Sequence, residues 1–200
     1  KDQLWYGDLI YADANGDGNY GDTNDMNFTG TSTQPRYNFG LNLSVAYKGF
    51  DFYMLWAGSA GFDLYWNHSS YNGTRTENGF GISQRVADNH YFYNPENPSD
   101  SRTNITAKYP RITDQTQRDN GTSSVFWKYK GDYVKLKNIQ IGYTIPVKWT
   151  RKFMVEKLRF YFSGENLLTI TSYPGLDPEM GTSITYPLTR QFAFGAQLSF

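Results

Sequence analysis

The sequence predicts an all-β fold, consisting of strands from a transmembrane antiparallel β-barrel. Aromatic residues make up 18% of the chain, yet its average hydropathy is low. No run of about 18 apolar residues is present that could form a transmembrane helix. Several segments alternate between apolar and polar side chains, as in a strand with one apolar and one hydrated face. Membrane-spanning barrel strands show this alternation, and their aromatic residues form girdles at both interfaces.

The first predicted hairpin occupies residues 36–66. Apolar side chains alternate between Tyr37 and Tyr47, with tyrosines at both ends and aliphatic residues between them. Lys48 and Gly49 then make a tight turn into a second alternating strand. This pattern predicts two membrane-spanning strands with a minimal connection.

Residues 131–200 contain the last three predicted strands. Pro146 ends the first of them, because proline lacks the amide that a strand ladder requires. The last strand, 191–200, alternates over ten residues and ends on an aromatic side chain, which is long enough for a tilted strand to cross a bilayer. Charged side chains in mid-strand are unfavourable against lipid, so we expect the polar positions to face the lumen: Asn38, Asn42, Asn138, Gln140, Arg159, Tyr161 and Glu165.

The connections follow the length rule of outer-membrane barrels, which have short periplasmic turns and longer external loops. Alternating five strands back from a periplasmic C-terminus places the turns at 48–49 and 147–156 in the periplasm. The Asp- and Gly-rich segment 1–35, the long segment 67–130 and the segment 172–189 are then extracellular loops. Five strands cannot close, and lipid leaves no sheet edge unpaired. We therefore expect the chain to be the C-terminal part of a larger barrel.

The charge and the cysteine content of the chain exclude some classes of partner and of chemistry. Nineteen basic and nineteen acidic residues cancel, so we expect no nucleic-acid partner. The chain contains no cysteine, which excludes disulfide and thiol chemistry within it. Its first residues contain no signal peptide, and we treat it as a fragment of an exported protein.

Several segments together resemble the SusC/RagA family of TonB-linked outer-membrane proteins. The resemblance runs in the same order along nearly the whole chain, with the variable segment between about 67 and 127 as its main gap. It also includes the Phe-ended last strand. The segments are 13–18 (DANGDG), 47–52 (YKGFDF), 131–146 (GDYVKLKNIQIGYTIP), 158–169 (LRFYFSGENLLT) and 173–179 (YPGLDPE).

The resemblance implies a 22-stranded barrel whose lumen is filled by a plug domain that this chain does not contain. It implies localisation in the outer membrane of a Gram-negative cell and active import of oligosaccharides or other large nutrients, such as peptides. A SusD-like surface lipoprotein would be the partner outside the cell, and TonB would act through an N-terminal part absent here. No bond is made or broken in such a protein, so we expect no enzymatic activity.

The first loop contains a pattern that is typical of calcium loops. The D-x-[DN]-x-[DN]-G spacing supplies oxygen ligands at alternate positions and a glycine for the sharp turn. The bidentate acid expected at the twelfth position is missing, because Asn24 stands there, and only a neighbouring acid could replace it. The alternative is a metal-free loop in which Asx side chains cap their own backbone. The candidate ligands for a structural Ca²⁺ are Asp13, Asn15, Asp17, Asn19, Asp22 and Asp25.

Aromatic residues in or beside the long loop are candidates for substrate binding. Aromatic rings stack against sugars, which suits an importer of glycans. Trp66 and Trp127 have a favoured alternative as members of the interfacial girdle. For Tyr91 and Tyr93, substrate binding and packing within the loop or against a lid explain the pattern equally well.

Two other functions are a hydrolase and a soluble binding module. His68 and His90 are the only histidines, and neither stands in a context typical of a hydrolase nucleophile and its base. The second is a soluble, extracellular, calcium-dependent glycan-binding β-sandwich, which would also show alternating strands, aromatics and an Asp-rich loop. A sandwich would cover its apolar strand faces with a second sheet, whereas a barrel would leave them exposed to lipid.

Overall fold

The computed structural model describes residues 4–66, 81–112, 120, 124–183 and 185–200. The chain divides into two compact units. One contains Lys1–Thr31 and Tyr65–Lys128, and the other contains Ser32–Leu64 and Tyr129–Phe200. Over the described ranges, none of the helices combines the length and apolarity that crossing a bilayer demands.

The second unit is built on a five-stranded antiparallel sheet. Its strands are β1 (Tyr37–Tyr47), β2 (Phe50–Ala60), β5 (Tyr133–Thr144), β6 (Lys157–Thr171) and β7 (Gln191–Ser199), in that order across the sheet. Two short strands, β3 (Asp63–Tyr65) and β4 (Lys128–Lys130), pair with each other in a separate ribbon. The five predicted alternating segments are confirmed as strands.

The register places the predicted apolar side chains on one face of this sheet. Leu41 pairs with Trp56, and Ile141 pairs with Phe162, which in turn pairs with Phe194. Paired residues point to the same side, so one face is apolar from β1 to β7. We call it the outer face.

The outer face is uncovered in the chain. The exposed fraction is 59% for Leu41, 49% for Leu198 and 84% for Phe194. A sandwich would bury these side chains under a second sheet. Large apolar side chains exposed over a whole face are unusual in soluble monomers, and the exposure agrees with strands that face lipid.

A bulge displaces the register in the middle of the sheet. The pairing of β5 shifts between Leu136 and Asn138, opposite the stretch of β6 between Glu165 and Leu168. Asn166 in that stretch has a φ of +52°, a left-handed conformation that asparagine tolerates. The bulge reverses the alternation beyond it, so the outer-face positions of β5 change from odd to even numbers.

The short connections share one end of the sheet, which we call the turn end. Lys48 and Gly49, with φ of +47° and +89°, connect β1 and β2. The connection from β5 to β6 contains the helix α2 (Val147–Thr150) and a 3₁₀ turn (Arg151–Phe153). Backbone hydrogen bonds from Thr144 to Gly49 and from Glu156 to Ser199 hold both connections against neighbouring strands.

The first unit has little regular secondary structure but has a core. Its helix α1 (Gln84–Asp88) begins at Ser83, whose hydroxyl caps the backbone amide of Val86. Val86 packs with Tyr109 and Trp127 in a buried cluster. Part of the segment predicted as a long loop is therefore folded around buried side chains.

Candidate functional site: the inner face of the sheet

The face opposite the apolar one carries the polar side chains of the sheet. The register pairs Asn42 with Leu55, Leu55 with Asn138, and Asn138 with Glu165. We call this the inner face. All the residues predicted to line a lumen lie on it: Asn38, Asn42, Asn138, Gln140, Arg159, Tyr161 and Glu165.

An ion pair crosses the inner face near the turn end. Arg159 of β6 binds Asp51 of β2 with two hydrogen bonds, Nε to Oδ1 at 2.9 Å and Nη2 to Oδ2 at 2.5 Å. The strand between them contributes Gly142, which pairs with Asp51. A Cβ atom at Gly142 would lie 2.5 Å from Nη2 of Arg159 and 2.6 Å from Oδ1 of Asp51. The missing side chain is therefore what lets the pair span three strands.

Two neighbours complete this cluster. The guanidinium of Arg159 lies 5.1 Å from the ring centroid of Tyr161, within range of a cation–π interaction. With its side-chain amide oriented so that the oxygen faces Arg159, Gln140 accepts a hydrogen bond from Nη2 of Arg159 at 2.8 Å. The ring of Tyr161 lies over Gly195, where a Cβ atom would come within 2.3 Å of it. Glycines in β5 and β7 thus make room for the two largest inner-face side chains here.

A second ionic cluster occupies the other end of β5. The side chain of Lys135 is 1% exposed, and its ammonium contacts Asp177 at 2.6 Å and Glu179 at 2.9 Å. Lys137 also binds Glu179, at 2.5 Å. Both acids belong to the connection between β6 and β7, so this cluster holds that connection against the strand.

The connection is shaped to present its two acids. Asp177 caps the 3₁₀ turn Pro178–Met180 through the amide of Glu179 at 2.9 Å, and its other oxygen accepts from Lys135. The buried ring of Tyr173 donates a hydrogen bond from its hydroxyl to the carbonyl of Gly181 at 3.0 Å. Burial raises the pKa of this phenol well above its ordinary value, so it stays a donor at neutral pH.

The inner face is therefore polar, and most of the charged side chains described on it form ion pairs with neighbouring residues. Arg159 is neutralised by Asp51, and the two lysines by the two acids. Ser59 adds a neutral network: its hydroxyl donates to Oδ1 of Asn38 at 2.7 Å and lies 3.2 Å from the hydroxyl of Tyr133. Such a surface can bind neutral polar groups or a folded polar domain without a strong field of either sign.

The predicted calcium loop is organised by its own backbone. Asp13 accepts from the amides of Gly16 at 2.6 Å, Asp17 at 3.1 Å and Gly18 at 2.8 Å. Asp25 accepts from Ala14 at 2.6 Å and Gly21 at 2.7 Å. These hydrogen bonds hold the pKa of Asp25 below its ordinary value.

The other candidate ligands lie within the same loop. Asp17 accepts from Asn15 at 2.8 Å and from the amide of Asn19 at 2.7 Å, and Asp22 caps the 3₁₀ turn Thr23–Asp25 through Asn24. Within the described part of the chain, no three His, Cys, Asp or Glu side chains are grouped as a metal site. The geometry matches the Asx-capped alternative, and calcium binding stays a prediction.

The predicted substrate-binding aromatics fall into two groups. Trp66 is 2% exposed and Trp127 is 1% exposed, so both side chains are buried by packing within the chain. Tyr91 and Tyr93 are half-buried. Tyr91 lies against Gly7, where a Cβ atom would come within 2.4 Å of its ring. These contacts favour packing for the first group, and substrate binding by the second stays a prediction.

Tyr93 belongs to a partly exposed aromatic cluster. Its ring packs edge-on against Tyr6 at 5.1 Å, and Tyr6 packs against Trp5 at 5.7 Å. Trp5 and Tyr6 are about half exposed. Of the histidines, His90 places Nδ1 2.6 Å from the carbonyl of Ala87, and His68 lies outside the described residues.

Sequence reasoning missed the ionic cluster of Lys135, Asp177 and Glu179. Lys135 is a buried residue of β5, whereas both acids belong to the connection between β6 and β7, about forty positions further along the sequence. The signal available was the apparent break in alternation at Lys135, which the bulge explains. Asp51 was placed on the polar face, but its partner Arg159 could not be identified without the order of the strands.

Comparisons with known proteins agree with this architecture. The chain is 31% identical over 209 residues to TonB-dependent receptor P3 of Formosa agariphila, covering 97% of the chain and 19% of that protein. It is 27% identical to TonB-dependent receptor P39 of the same organism, with the same shares covered. The chain thus spans about a fifth of the length of these relatives. No family model matches it.

Solved structures share the fold. The RagAB peptide importer in its closed-closed state matches with a TM-score of 0.63 at 24% identity, over 85% of the chain and 18% of that structure's chain. Its open-open state matches with a TM-score of 0.61 at the same identity and coverage. The names of these proteins describe receptors and importers.

Proposed function

We propose that this chain, which is of the SusC/RagA type of TonB-dependent receptors, forms part of the wall of an outer-membrane β-barrel that imports nutrients. One observation carries the proposal: the five-stranded sheet has a continuous, exposed apolar outer face and a polar inner face. Water on both sides would make that outer face unfavourable, by about 25 cal/mol for each Å² of apolar surface. Lipid against the outer face and a hydrated lumen against the inner face would each match the polarity of that face.

The lengths of the connections at the two ends of the sheet suggest how the barrel is oriented in the membrane. The turn end, with its short connections, would face the periplasm. The segments predicted as extracellular loops, which are 1–35, 67–130 and 172–189, would lie outside the cell, where long loops contact substrate. The outermost strands β1 and β7 each have one unpaired edge in the described sheet, and lipid requires both to pair with further strands of a larger, closed barrel.

The inner face would contact the plug and the substrate path. Its amide side chains and its ion pairs suit reversible contact with a polar plug domain, because the paired charges stay compensated when that domain moves. We propose import of oligosaccharides or peptides with a SusD-like lipoprotein outside and TonB inside the cell. The similarity to the RagAB peptide importer supports peptides as the substrate. The exposed aromatic cluster of Trp5, Tyr6 and Tyr93 supports sugars.

The test is to produce the intact receptor that contains this segment in a Gram-negative host. We expect it in the outer-membrane fraction, with heat-modifiable migration on gels, and we expect TonB-dependent growth on an oligosaccharide or peptide source. The intact protein in the soluble fraction without detergent would overturn the proposal and favour the calcium-dependent sandwich.

A further inference from the structure

The connection between β5 and β6 is both basic and apolar. The exposed fraction is 61% for Trp149, 75% for Phe153 and 85% for Met154. A solvated turn has no reason to expose three large apolar side chains within six residues. Tryptophan is enriched where a membrane meets water, because its ring is amphipathic.

Cations surround these apolar side chains at the turn end. Glu156 is the acidic residue of the connection itself, and the nearby Asp51 is already bound to Arg159. The turn end therefore has an excess of positive charge over its described residues. Its exposed cations are Lys48, Lys148, Arg151, Lys152 and Lys157.

We call these five cations the basic rim, and a shallow groove lies on the outer face at the same end of the sheet. Phe50 pairs with Tyr143, and Tyr143 pairs with Phe160, in the rungs of the ladder nearest the turn end. Phe160 pairs with Ala196, whose small side chain leaves a gap beside the neighbouring ring of Phe194. The side chains that line the groove include Phe50, Ile141, Tyr143, Phe160, Phe162 and Phe194.

We infer that the turn end binds an anionic glycerophospholipid, with an acyl chain in the groove and the headgroup phosphate on the basic rim. The inference rests on the proposed barrel, which makes the outer face the lipid face. Two features on the molecule argue for this occupant. The groove is continuous with the exposed apolar face, and the rim has the charge that attracts phosphate. The exposed Trp149 and Phe153 would sit at headgroup depth.

The experiment uses the intact receptor, purified from the outer membrane in a neutral detergent and analysed by native mass spectrometry. Phosphatidylglycerol is the anionic probe and phosphatidylcholine is the zwitterionic one. The test variant combines Lys148→Gln, Arg151→Gln and Lys152→Gln. The control combines Arg36→Gln, Lys130→Gln and Arg190→Gln, three exposed cations next to the opposite ends of the same strands. A second pair compares Ala196→Trp, which fills the groove, with Leu43→Trp elsewhere on the outer face.

We expect the wild type and the control to retain phosphatidylglycerol in preference to phosphatidylcholine. The triple test variant should bind it about tenfold or more weakly, since each cation near an anionic surface contributes about fivefold. Ala196→Trp should reduce retention of both lipids, whereas Leu43→Trp should not. Equal retention of phosphatidylglycerol by the test and control variants would overturn the inference, as would equal retention of the two lipids by the wild type.

Heat-modifiable migration on gels measures whether the barrel has formed, independently of lipid binding. Variants that lose lipid but keep this migration support the site itself. A wild-type receptor that forms no barrel would contradict the proposed function, and this inference with it.

Discussion

The guanidinium of Arg159 in β6 binds the carboxylate of Asp51 in β2 across the whole width of the intervening strand. The two residues are 108 positions apart in the sequence. Their contact depends on Gly142, which leaves the space above β5 free. The pair therefore fixes the spacing of three strands at the turn end, and its position on the inner face keeps both charges away from lipid.

Gly142→Ala should break this pair. The added Cβ would overlap both charged groups, and neither strand backbone can move without disturbing the ladder. We expect a loss of about 1.5–3 kcal/mol in the free energy of unfolding, the range for hydrogen bonds to charged groups. Urea unfolding of the receptor in lipid vesicles measures it. The control is Gly40→Ala, where a Cβ meets only a carbonyl at 3.4 Å; equal losses at both sites would contradict this role.

Phe194→Arg should impair insertion of the barrel far more than Ala193→Arg. Phe194 lies on the outer face in mid-strand, where an arginine against lipid is unfavourable by about 2–4 kcal/mol. Ala193 is its neighbour on the inner face, opposite Ser163. The amount of heat-modifiable receptor in the outer membrane measures the difference. Similar yields of the two variants would mean that the faces are wrongly assigned.

Leu198→Arg and Gln197→Arg form a related pair nearer the end of β7. Leu198 is the last but one residue of that strand and pairs with Leu158 at the turn end. The penalty for arginine falls to about 0–1 kcal/mol near the interface. We expect Leu198→Arg to reduce assembly less than Phe194→Arg but more than Gln197→Arg. The same assay checks this ranking, and a reversed order would contradict the assigned depth.

The strands could be predicted because the alternation is itself the physical requirement for a wall between lipid and water. Tyr37 to Tyr47 and the last strand appear in the structure almost as the pattern predicts them. The bulge at Leu136 and Asn138 could not be predicted with it, because it depends on how β6 pairs opposite. The core around Val86 was also missed, since its members are scattered among polar residues without a period.

Removing both acids that bind Lys135 should destabilise the connection between β6 and β7. The double variant Asp177→Asn with Glu179→Gln leaves a buried ammonium without a counter-charge, which is destabilising by about 3–5 kcal/mol. Adding Lys135→Met should recover much of the loss, because no charge then remains buried. Limited proteolysis within residues 172–190 reports the release of the connection. Failure of Lys135→Met to restore protection would contradict the ionic explanation.

Acid should release the same connection. Burial alone would raise the pKa of Glu179, but hydrogen bonds from Lys137 and Lys135 outweigh it and hold the pKa below its ordinary value of 4.5. A lowered pKa means that the stabilisation is fully present above about pH 4.5 and is lost as the pH falls through the folded value. Proteolysis in this connection should therefore increase below pH 4.5 in the wild type. It should not change with pH in the variant with Asp177→Asn, Glu179→Gln and Lys135→Met.

Calcium, if it orders the loop from Asp13 to Asp25, should protect that loop from proteolysis. Asp17→Asn is the informative variant, because an asparagine can still accept from the amide of Asn19 but lacks the charge that Ca²⁺ prefers. We expect chelation to expose the loop in the wild type and to have no further effect in Asp17→Asn. Identical protection with and without chelator in the wild type would contradict calcium binding and leave the Asx hydrogen bonds as the whole explanation.

The candidate site was only partly predictable from the sequence. Alternation placed Asn38, Gln140 and Arg159 on one face, because the rule depends only on local geometry. The partners across the sheet depend on strand order and on glycine positions, as Gly142 and Gly195 show. Burial of Trp66 and Trp127 was missed, since a tryptophan at a predicted membrane boundary has the same sequence pattern as one in a core.

A spin-label scan along β7 tests the central claim most directly. Single cysteines would be placed from Gln191 to Ser199 in the intact receptor reconstituted into lipid vesicles. We expect collision rates with oxygen to peak at Phe192, Phe194, Ala196 and Leu198, and those with a water-soluble nickel complex to peak at the residues between them. Uniform rates along the strand, or labels at Phe194 and Leu198 shielded from both reagents, would contradict a sheet that separates lipid from water.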